Sequence, residues 1–184
     1  MKKVFFLLAL LTGFQSFAQL QRFSFSQPKM GSPFTIIFYA TDSVQAKQQA
    51  TNCYQLVDSL NAILSDYDLQ SETSRLRGKA GSGEWISVSP VLSEVLRQSA
   101  TAWQKSSGAV DVTMGPLSKL WRGARKTKIF LEKEDVLQTK KQTGFKHILL
   151  DTVHQRVQLV KEGMQLDFGA VAKGYIAQKL IDHL

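Results

Sequence analysis

The stretch Leu166-Asp-Phe-Gly-Ala-Val-Ala-Lys-Gly-Tyr175 decides the fold of this chain. Around its start, Met164, Leu166 and Phe168 alternate with polar residues, which is typical of a strand. After Ala170, apolar residues recur every three or four positions as far as Leu184, which is typical of a helix. The stretch therefore predicts a strand, a tight turn and the beginning of a helix.

Such a junction has the features of an anion site. The first N–H groups of a helix and its positive dipole end attract anions. Gly169 permits close approach of a ligand to the backbone, Lys173 adds a point charge, and Asp167 can accept hydrogen bonds from a ligand. An ordinary strand-to-helix connection with a solvated Lys173 is the competing interpretation, and these residues alone leave both open.

The rest of the chain predicts an α+β fold, because strands and helices mix without a regular βαβ rhythm. The segment over 66–83 is rich in loop residues. Further strands are predicted over 34–39, 85–88, 147–150 and 156–160, and helices over 43–64, 71–76, 90–108, 116–121 and 132–143.

The first 18 residues are typical of a signal peptide. A basic start at Met1-Lys2-Lys3 precedes an apolar core over Val4 to Leu11 and a small-x-small site at Ser16-Phe17-Ala18. We therefore expect an exported protein whose domain covers 19–184, in the periplasm or at the periplasmic face of the inner membrane. An N-terminal membrane anchor is the alternative.

The charge favours an anionic partner. The chain has 23 Lys and Arg against 15 Asp and Glu, a net charge of +8. An exported basic protein meets little nucleic acid, so an anionic ligand or an anionic membrane surface is expected instead. The basic cluster Arg122 to Lys128 is interpreted as a solvated loop. The single cysteine, Cys53, lies in a helical apolar pattern and is expected in the core.

Four ordered segments together resemble one family. They are Met30-Gly31-Ser32, Leu64 to Arg75 (Leu-Ser-Asp-Tyr-Asp-Leu-Gln-Ser-Glu-Thr-Ser-Arg), Gly108 to Leu117 (Gly-Ala-Val-Asp-Val-Thr-Met-Gly-Pro-Leu) and the opening stretch. In this order they resemble the FAD:protein FMN transferase (ApbE) family. The resemblance implies that FAD is split, that FMN passes to a Thr or Ser hydroxyl of an acceptor protein, and that AMP leaves.

The resemblance also implies partners and a cofactor. The acceptor would be a flavin-carrying protein, often a subunit of a membrane redox complex, and Mg²⁺ would offset the pyrophosphate charge. The backbone carbonyl of Ala170 matches a position that reaches the metal, which any residue type can supply. The positions that match family contacts to FAD are Met30, Tyr67, Ala109, Val110, Asp111, Asp167 and Lys173.

Alternatives remain at several of these residues. The competing interpretation of Asp111 is an Asx-turn that only shapes its loop. Thr113 can cap a turn as readily as it can contact a ligand. Val112 and Gln178 depart from the family's usual proline and acid. No general base is assigned, since all three histidines lie outside the matching motifs.

The family pattern continues beyond Leu184 with a late Asp and Thr that bind metal. We therefore expect an ApbE-like domain whose C-terminal portion is missing, with a shorter natural variant as the alternative. Two further functions stay open, namely a non-catalytic FAD-binding fragment and an FAD pyrophosphatase in which water replaces the acceptor hydroxyl.

Overall fold

A computed structural model describes residues 19–184, which form two compact units. The first unit ends at Asn52 and the second comprises Cys53–Leu184. The proposed signal peptide lies outside the described residues. Within 19–184, no helix has both the length and the apolar character needed to cross a bilayer.

The first unit contains an antiparallel hairpin. Strand β1 (Gln21–Lys29) pairs with β2 (Ser32–Ala40) across the two-residue turn Met30-Gly31. Both turn residues have positive φ, 51° and 74°, as a type I′ hairpin turn requires. The sequence predicted β2 and missed β1, in which only Phe23 and Phe25 interrupt a polar segment.

Helix α1 (Ser43–Leu64) begins in the first unit and ends in the second. Asp42 caps it by accepting hydrogen bonds from the N–H groups of Val44 and Gln45 at 2.8 and 2.9 Å. Its buried residues recur at helical spacing and confirm the predicted single apolar face, with Cys53 in the core as expected. They are Ala46, Ala50, Cys53, Tyr54, Val57, Leu60 and Leu64.

The second unit contains a three-stranded antiparallel sheet in the order β3-β5-β4. Its strands are β3 (Ile86–Ser87), β4 (Ile148–Asp151) and β5 (Arg156–Leu159). These confirm the three predicted strands; β3 and β5 are shorter than predicted, and β4 is shifted by one residue.

Five helices accompany this sheet in the described part of the second unit. They are α2 (Glu72–Arg77), α3 (Pro90–Lys105), α4 (Gly115–Thr127), α5 (Lys133–Lys140) and α6 (Ala172–His183). Single 3₁₀ turns form at Val112–Met114 and Phe145–His147. The expected α+β mixture of helices and small sheets is therefore confirmed.

Helix α4 corrects one prediction. The sequence suggested that it stops near Trp121 and that Arg122 to Lys128 is a loop, but the helix continues to Thr127. Lys128 then ends it in the left-handed conformation with φ of 58°. Arg, Lys and Ala all favour helix, and they outweigh the cost of Gly123.

The segment 164–168 corrects a second prediction. Met164, Leu166 and Phe168 are buried as the alternation indicated, yet the segment belongs to neither sheet. Instead the Asp167 N–H donates to the Val112 carbonyl at 2.8 Å. The segment 164–168 therefore packs against α4 and the 3₁₀ turn before it, and this packing produces the alternating burial without a neighbouring strand.

Candidate functional site

The centre of the site is Arg122 on α4. Its Nη1 donates to Asp66 Oδ2 at 2.6 Å and its Nη2 to Asp167 Oδ2 at 2.9 Å. Its Cζ lies 4.1 Å from the centre of the Tyr67 ring, which is cation–π contact. Arg122 therefore brings together two residues of the predicted site, Tyr67 and Asp167, from distant parts of the chain.

The guanidinium group of Arg122 stays charged in this setting. Burial disfavours its charge, but the hydrogen bond and charge of Asp66, with the charge of Asp167, outweigh that effect and raise the pKa of Arg122. Its side chain is 28% exposed. The group is therefore a permanent, partly accessible cation.

The loop after α1 positions Tyr67 and Asp66. The Ser65 hydroxyl accepts hydrogen bonds from the N–H groups of Tyr67 and Asp68 at 3.2 and 3.1 Å. Buried Thr73, on α2, donates to the Ile63 carbonyl at 2.8 Å and fastens the end of the loop to α1. Tyr67 is 73% exposed.

Asp167 is positioned by its own turn. Its Oδ1 accepts the Gly169 N–H at 2.8 Å, so both carboxylate oxygens have partners. A Cβ at Gly169 would lie 3.0 Å from that same oxygen, which explains the glycine. Glycine here leaves room for the carboxylate.

The turn also corrects the expectation of free N–H groups. The N–H groups of Val171 and Ala172 donate to the Phe168 carbonyl at 2.9 and 2.7 Å, and Gly169 is bonded to Asp167. Three amides of the predicted anion site are thus satisfied within the turn.

Asp111 shapes its loop, as the competing interpretation proposed. Its Oδ1 accepts from the N–H and the hydroxyl of Thr113 at 2.8 and 2.6 Å, and its Oδ2 accepts the Phe145 N–H at 3.0 Å. Buried Thr113 in turn accepts the Gly144 N–H at 2.7 Å. In this structure the Asp111 carboxylate joins two loops.

The remaining predicted residues lie elsewhere. Ala109 and Val110 are exposed in the loop before Asp111, and Lys173 is exposed in the first turn of α6. Ala170 is exposed in the turn before that helix. Met30 lies in the hairpin turn of the first unit.

Two clefts border the Arg122 cluster. One, of about 240 Å³, is lined by Asp66, Tyr67 and three cations, Arg77, Lys119 and Arg122. The Ser74 side chain also lines it, and its buried hydroxyl has no hydrogen-bond partner among the described residues. The other cleft, of about 410 Å³, includes Arg122 and Asp167. A cationic cleft with an unused hydroxyl is chemically suited to an anionic ligand.

The described residues do not fit a complete Mg²⁺ site. Between positions 19 and 184, no three His, Cys, Asp or Glu side chains group together as metal ligands would. The nearby Asp167 carboxylate is paired with Arg122. Ala170 contributes at most one carbonyl, whereas Mg²⁺ requires several hard oxygen ligands.

The sequence missed Asp66, Arg77 and Arg122. Asp66 lies within the family-like segment 64–75 and Arg77 lies two residues after it, so their positions were the available signal. Arg122 gave none, because a run of basic residues is usually solvated. Its partners lie 56 and 45 residues away in the chain.

A second polar cluster joins α3 to α6. The Tyr175 hydroxyl donates to Glu94 Oε2 at 2.9 Å, and Lys179 pairs with the same oxygen at 3.2 Å. The hydrogen bond from Tyr175 lowers the pKa of Glu94 despite its partial burial. Burial, followed by the charge and hydrogen bond of Glu94, raises the pKa of Tyr175.

Sequence relatives are similar to most of this chain. It is 28% identical over 162 residues to an FAD:protein FMN transferase of Klebsiella pneumoniae (strain 342), covering 88% of this chain and 50% of that protein. It is 29% identical over 136 residues to an FAD:protein FMN transferase of Chlamydia pneumoniae, covering 74% of this chain and 42% of that protein. The chain thus spans about half the length of the curated relatives it matches.

Solved structures share the fold. Flavin transferase ApbE from Vibrio cholerae aligns with a TM-score of 0.78 at 24% identity, over 90% of this chain and 54% of that one. Pseudomonas stutzeri flavinyl transferase ApbE, apo form, aligns with a TM-score of 0.78 at 25% identity, over 92% and 54%. The sequence model of the ApbE family matches residues 30–184. This chain therefore belongs to the ApbE family.

Proposed function

We propose that this chain provides part of a flavin transferase that splits FAD, attaches FMN to a Thr or Ser hydroxyl of an acceptor protein and releases AMP. The names of its relatives support transfer of FMN from FAD. The observation that supports it best is the cationic cleft at Arg122, where Tyr67 and Asp167 meet.

The chemistry of this cleft suits a dinucleotide. Tyr67 leaves 73% of its surface exposed, so a planar ring can stack on it beside the guanidinium. Arg77, Lys119 and Arg122 oppose the charge of a pyrophosphate, and Ser74 offers a hydroxyl. Phosphoryl transfer depends mainly on such positioning and charge stabilisation.

Arg122 Nη2 donates to Oδ2 of Asp167. A ligand N–H or hydroxyl that binds Asp167 must share or replace this ion pair. The released N–H of Arg122 can then donate to an anionic group of the same ligand. Arg122 thereby links occupancy of Asp167 to recognition of the phosphates.

Magnesium dependence is part of the proposal. When bound, Mg²⁺ supplies charge that offsets the pyrophosphate. Ala170 would give one carbonyl ligand, and in a protein as long as the relatives the others would come from the half that this chain does not span. We further propose an exported protein that acts in the periplasm on a flavin-carrying subunit of a membrane redox complex.

A non-catalytic FAD-binding role for the chain by itself is the second candidate. The absence of a carboxylate cluster among residues 19–184 favours it. An FAD pyrophosphatase differs only in using water as the acceptor. Release of FMN without labelling of an acceptor identifies that activity.

The proposal is tested by titrating FAD and following its fluorescence. Asp167→Ala and Lys173→Ala should each weaken binding by about 1.5–3 kcal/mol, since each removes a charged contact. Asp182→Ala, which removes an exposed carboxylate that accepts a hydrogen bond from Gln178, is the matched control. Unchanged affinity in both test variants, or no binding of FAD by the wild-type chain, would contradict the proposal for this segment.

A further inference from the structure

Three exposed apolar side chains lie together at the end of α4. Trp121, Ile129 and Phe130 are 45%, 69% and 85% exposed. Together with Arg125 and Lys128 they line one groove of about 560 Å³. We call these five residues and the adjacent Lys126 the α4 patch.

The backbone accounts for this grouping. Lys128 ends α4 in the left-handed conformation, so the chain reverses direction there. Phe130 returns to Trp121 and meets it edge-on, with 6.3 Å between ring centres. The two rings contact each other, but most of the Phe130 surface faces solvent.

The charges of the patch have one sign. Arg125, Lys126 and Lys128 are exposed, and none forms an ion pair with an acidic side chain of residues 19–184. Glu132 and Asp135 line the neighbouring groove, which Ile129 and Phe130 also border. The cations therefore lie on the Trp121 side of the apolar residues.

We propose that the α4 patch docks on an anionic lipid bilayer. Phe130 and Ile129 would enter the boundary between headgroups and acyl chains, with Trp121 at headgroup level, where an amphipathic ring is favoured. Arg125, Lys126 and Lys128 would contact lipid phosphates. Each such cation strengthens membrane binding about fivefold.

Charge complementarity and shape favour lipid over an acidic protein surface. Ile129 and Phe130, which are 69% and 85% exposed at a chain reversal, can enter an acyl boundary without a preformed pocket. A folded acidic protein would need a preformed pocket for Phe130. The patch adjoins the candidate site, because Trp121 and Arg125 also line the cleft that includes Arg122 and Asp167. Ile129 and Phe130 line neither cleft of that site.

The test uses the whole 184-residue chain and vesicles of phosphatidylglycerol and phosphatidylcholine, compared with phosphatidylcholine alone. We expect sedimentation with the anionic vesicles that weakens with added salt. Phe130→Ser should lower the affinity about tenfold. The triple change Arg125→Gln, Lys126→Gln and Lys128→Gln should lower it roughly 100-fold.

Matched controls remove the same chemistry elsewhere. Val153→Ser alters an apolar side chain that is 84% exposed, and Lys47→Gln, Lys105→Gln and Lys140→Gln together remove three exposed cations. Far-ultraviolet and near-ultraviolet circular dichroism verify that every variant is folded. The apolar residues 4–11 are common to all variants, so the differences report the patch.

Tryptophan quenching by brominated lipid reports contact directly. Quenching should disappear in Trp121→Phe and persist in Trp85→Phe, whose tryptophan is similarly exposed at 42%. The proposal is overturned if anionic vesicles do not bind the chain, if the two triple variants weaken binding equally, or if Trp121→Phe leaves the quenching unchanged. FAD titration of Phe130→Ser, whose altered side chain lies outside both clefts of the candidate site, keeps this result separate from the proposed function.

Discussion

At the scale of single residues, Arg122 illustrates how one side chain can organise a site built from distant segments. It is held between Asp66 and Asp167 and covers one face of Tyr67. Lysine cannot replace it, because one ammonium group lacks the planar fork that serves two carboxylates and a ring at once. Removing it leaves Asp66 and Asp167 without a cation.

We therefore predict that Arg122→Ala lowers the free energy of unfolding by about 1–2 kcal/mol, allowing for the partial exposure of the ion pairs. Urea unfolding followed by tryptophan fluorescence measures this. Arg125→Ala, on the same helix, removes an exposed cation that pairs with no acidic side chain of residues 19–184. It should change stability by less than about 0.5 kcal/mol. Equal effects of the two substitutions would show that Arg122 contributes only helix propensity.

The sequence predicted part of this site. Tyr67 and Asp167 were found because each lies in a segment that resembles the family. Arg122 was missed since its environment depends on contacts across 45 and 56 residues, which local composition does not contain. For Asp111, the resemblance implied a contact with FAD, and the alternative was a carboxylate that shapes its loop. The hydrogen bonds of Asp111 in this structure are those of the alternative.

At the scale of elements, two glycines of α4 have opposite roles. A Cβ at Gly115 would lie 2.6 Å from the Gln165 carbonyl oxygen, so α4 and the segment 164–168 approach too closely for any side chain. A Cβ at Gly123 would meet nothing within 4 Å. Both residues are helical, so propensity alone would favour alanine at each.

We predict that Gly115→Ala destabilises the protein by about 1–3 kcal/mol, because backbone must move to accept the methyl group. Gly123→Ala should stabilise it by about 0.5–1 kcal/mol, as helix propensity predicts. Thermal unfolding of both variants measures the difference. A stabilising Gly115→Ala would mean that the close approach to Gln165 is absent in solution.

The contact between α3 and α6 should depend on pH. The pKa of Glu94 is lower in the folded state than its ordinary value of 4.5. Its contribution to the free energy of unfolding is therefore complete above that value. It is lost as the pH falls through the lowered pKa.

We therefore expect Glu94→Gln to be less stable than the wild type at neutral pH. The difference in melting temperature between the two proteins should narrow in acid. Melting temperatures measured at neutral pH and well below pH 4.5 test this. Glu162→Gln, an exposed change, should show no gap at either pH. A gap that widens in acid would contradict the assigned direction.

Most helices and strands followed from the periodicity of their apolar residues, as in α1. The strand assigned to 164–168 was wrong. An extended segment shows alternating burial whenever one of its sides faces the core and the other faces solvent, and packing against a helix produces this pattern as well as a sheet does. The end of α4 was misplaced since exposed basic residues fit a loop or a helix equally. Tertiary contacts decide such cases.

At the scale of the whole molecule, the chain spans about half of its relatives, and its described residues offer one candidate magnesium ligand. We predict that the 184-residue chain by itself does not label an acceptor protein, even with FAD and Mg²⁺ present. Covalent flavin fluorescence after denaturing electrophoresis measures this. A metal-dependent fluorescent acceptor band would show that the described residues suffice for transfer.

The buried Cys53 has a practical consequence for studying how this protein opens. It is the only cysteine in the chain, it lies fully buried within α1, and burial raises the pKa of its thiol. A bulky thiol reagent can therefore react only with molecules in which that part of α1 has transiently separated from the core. The rate at which the reagent modifies Cys53 under native conditions would therefore measure how often this part of α1 opens, and no other thiol competes for the reagent.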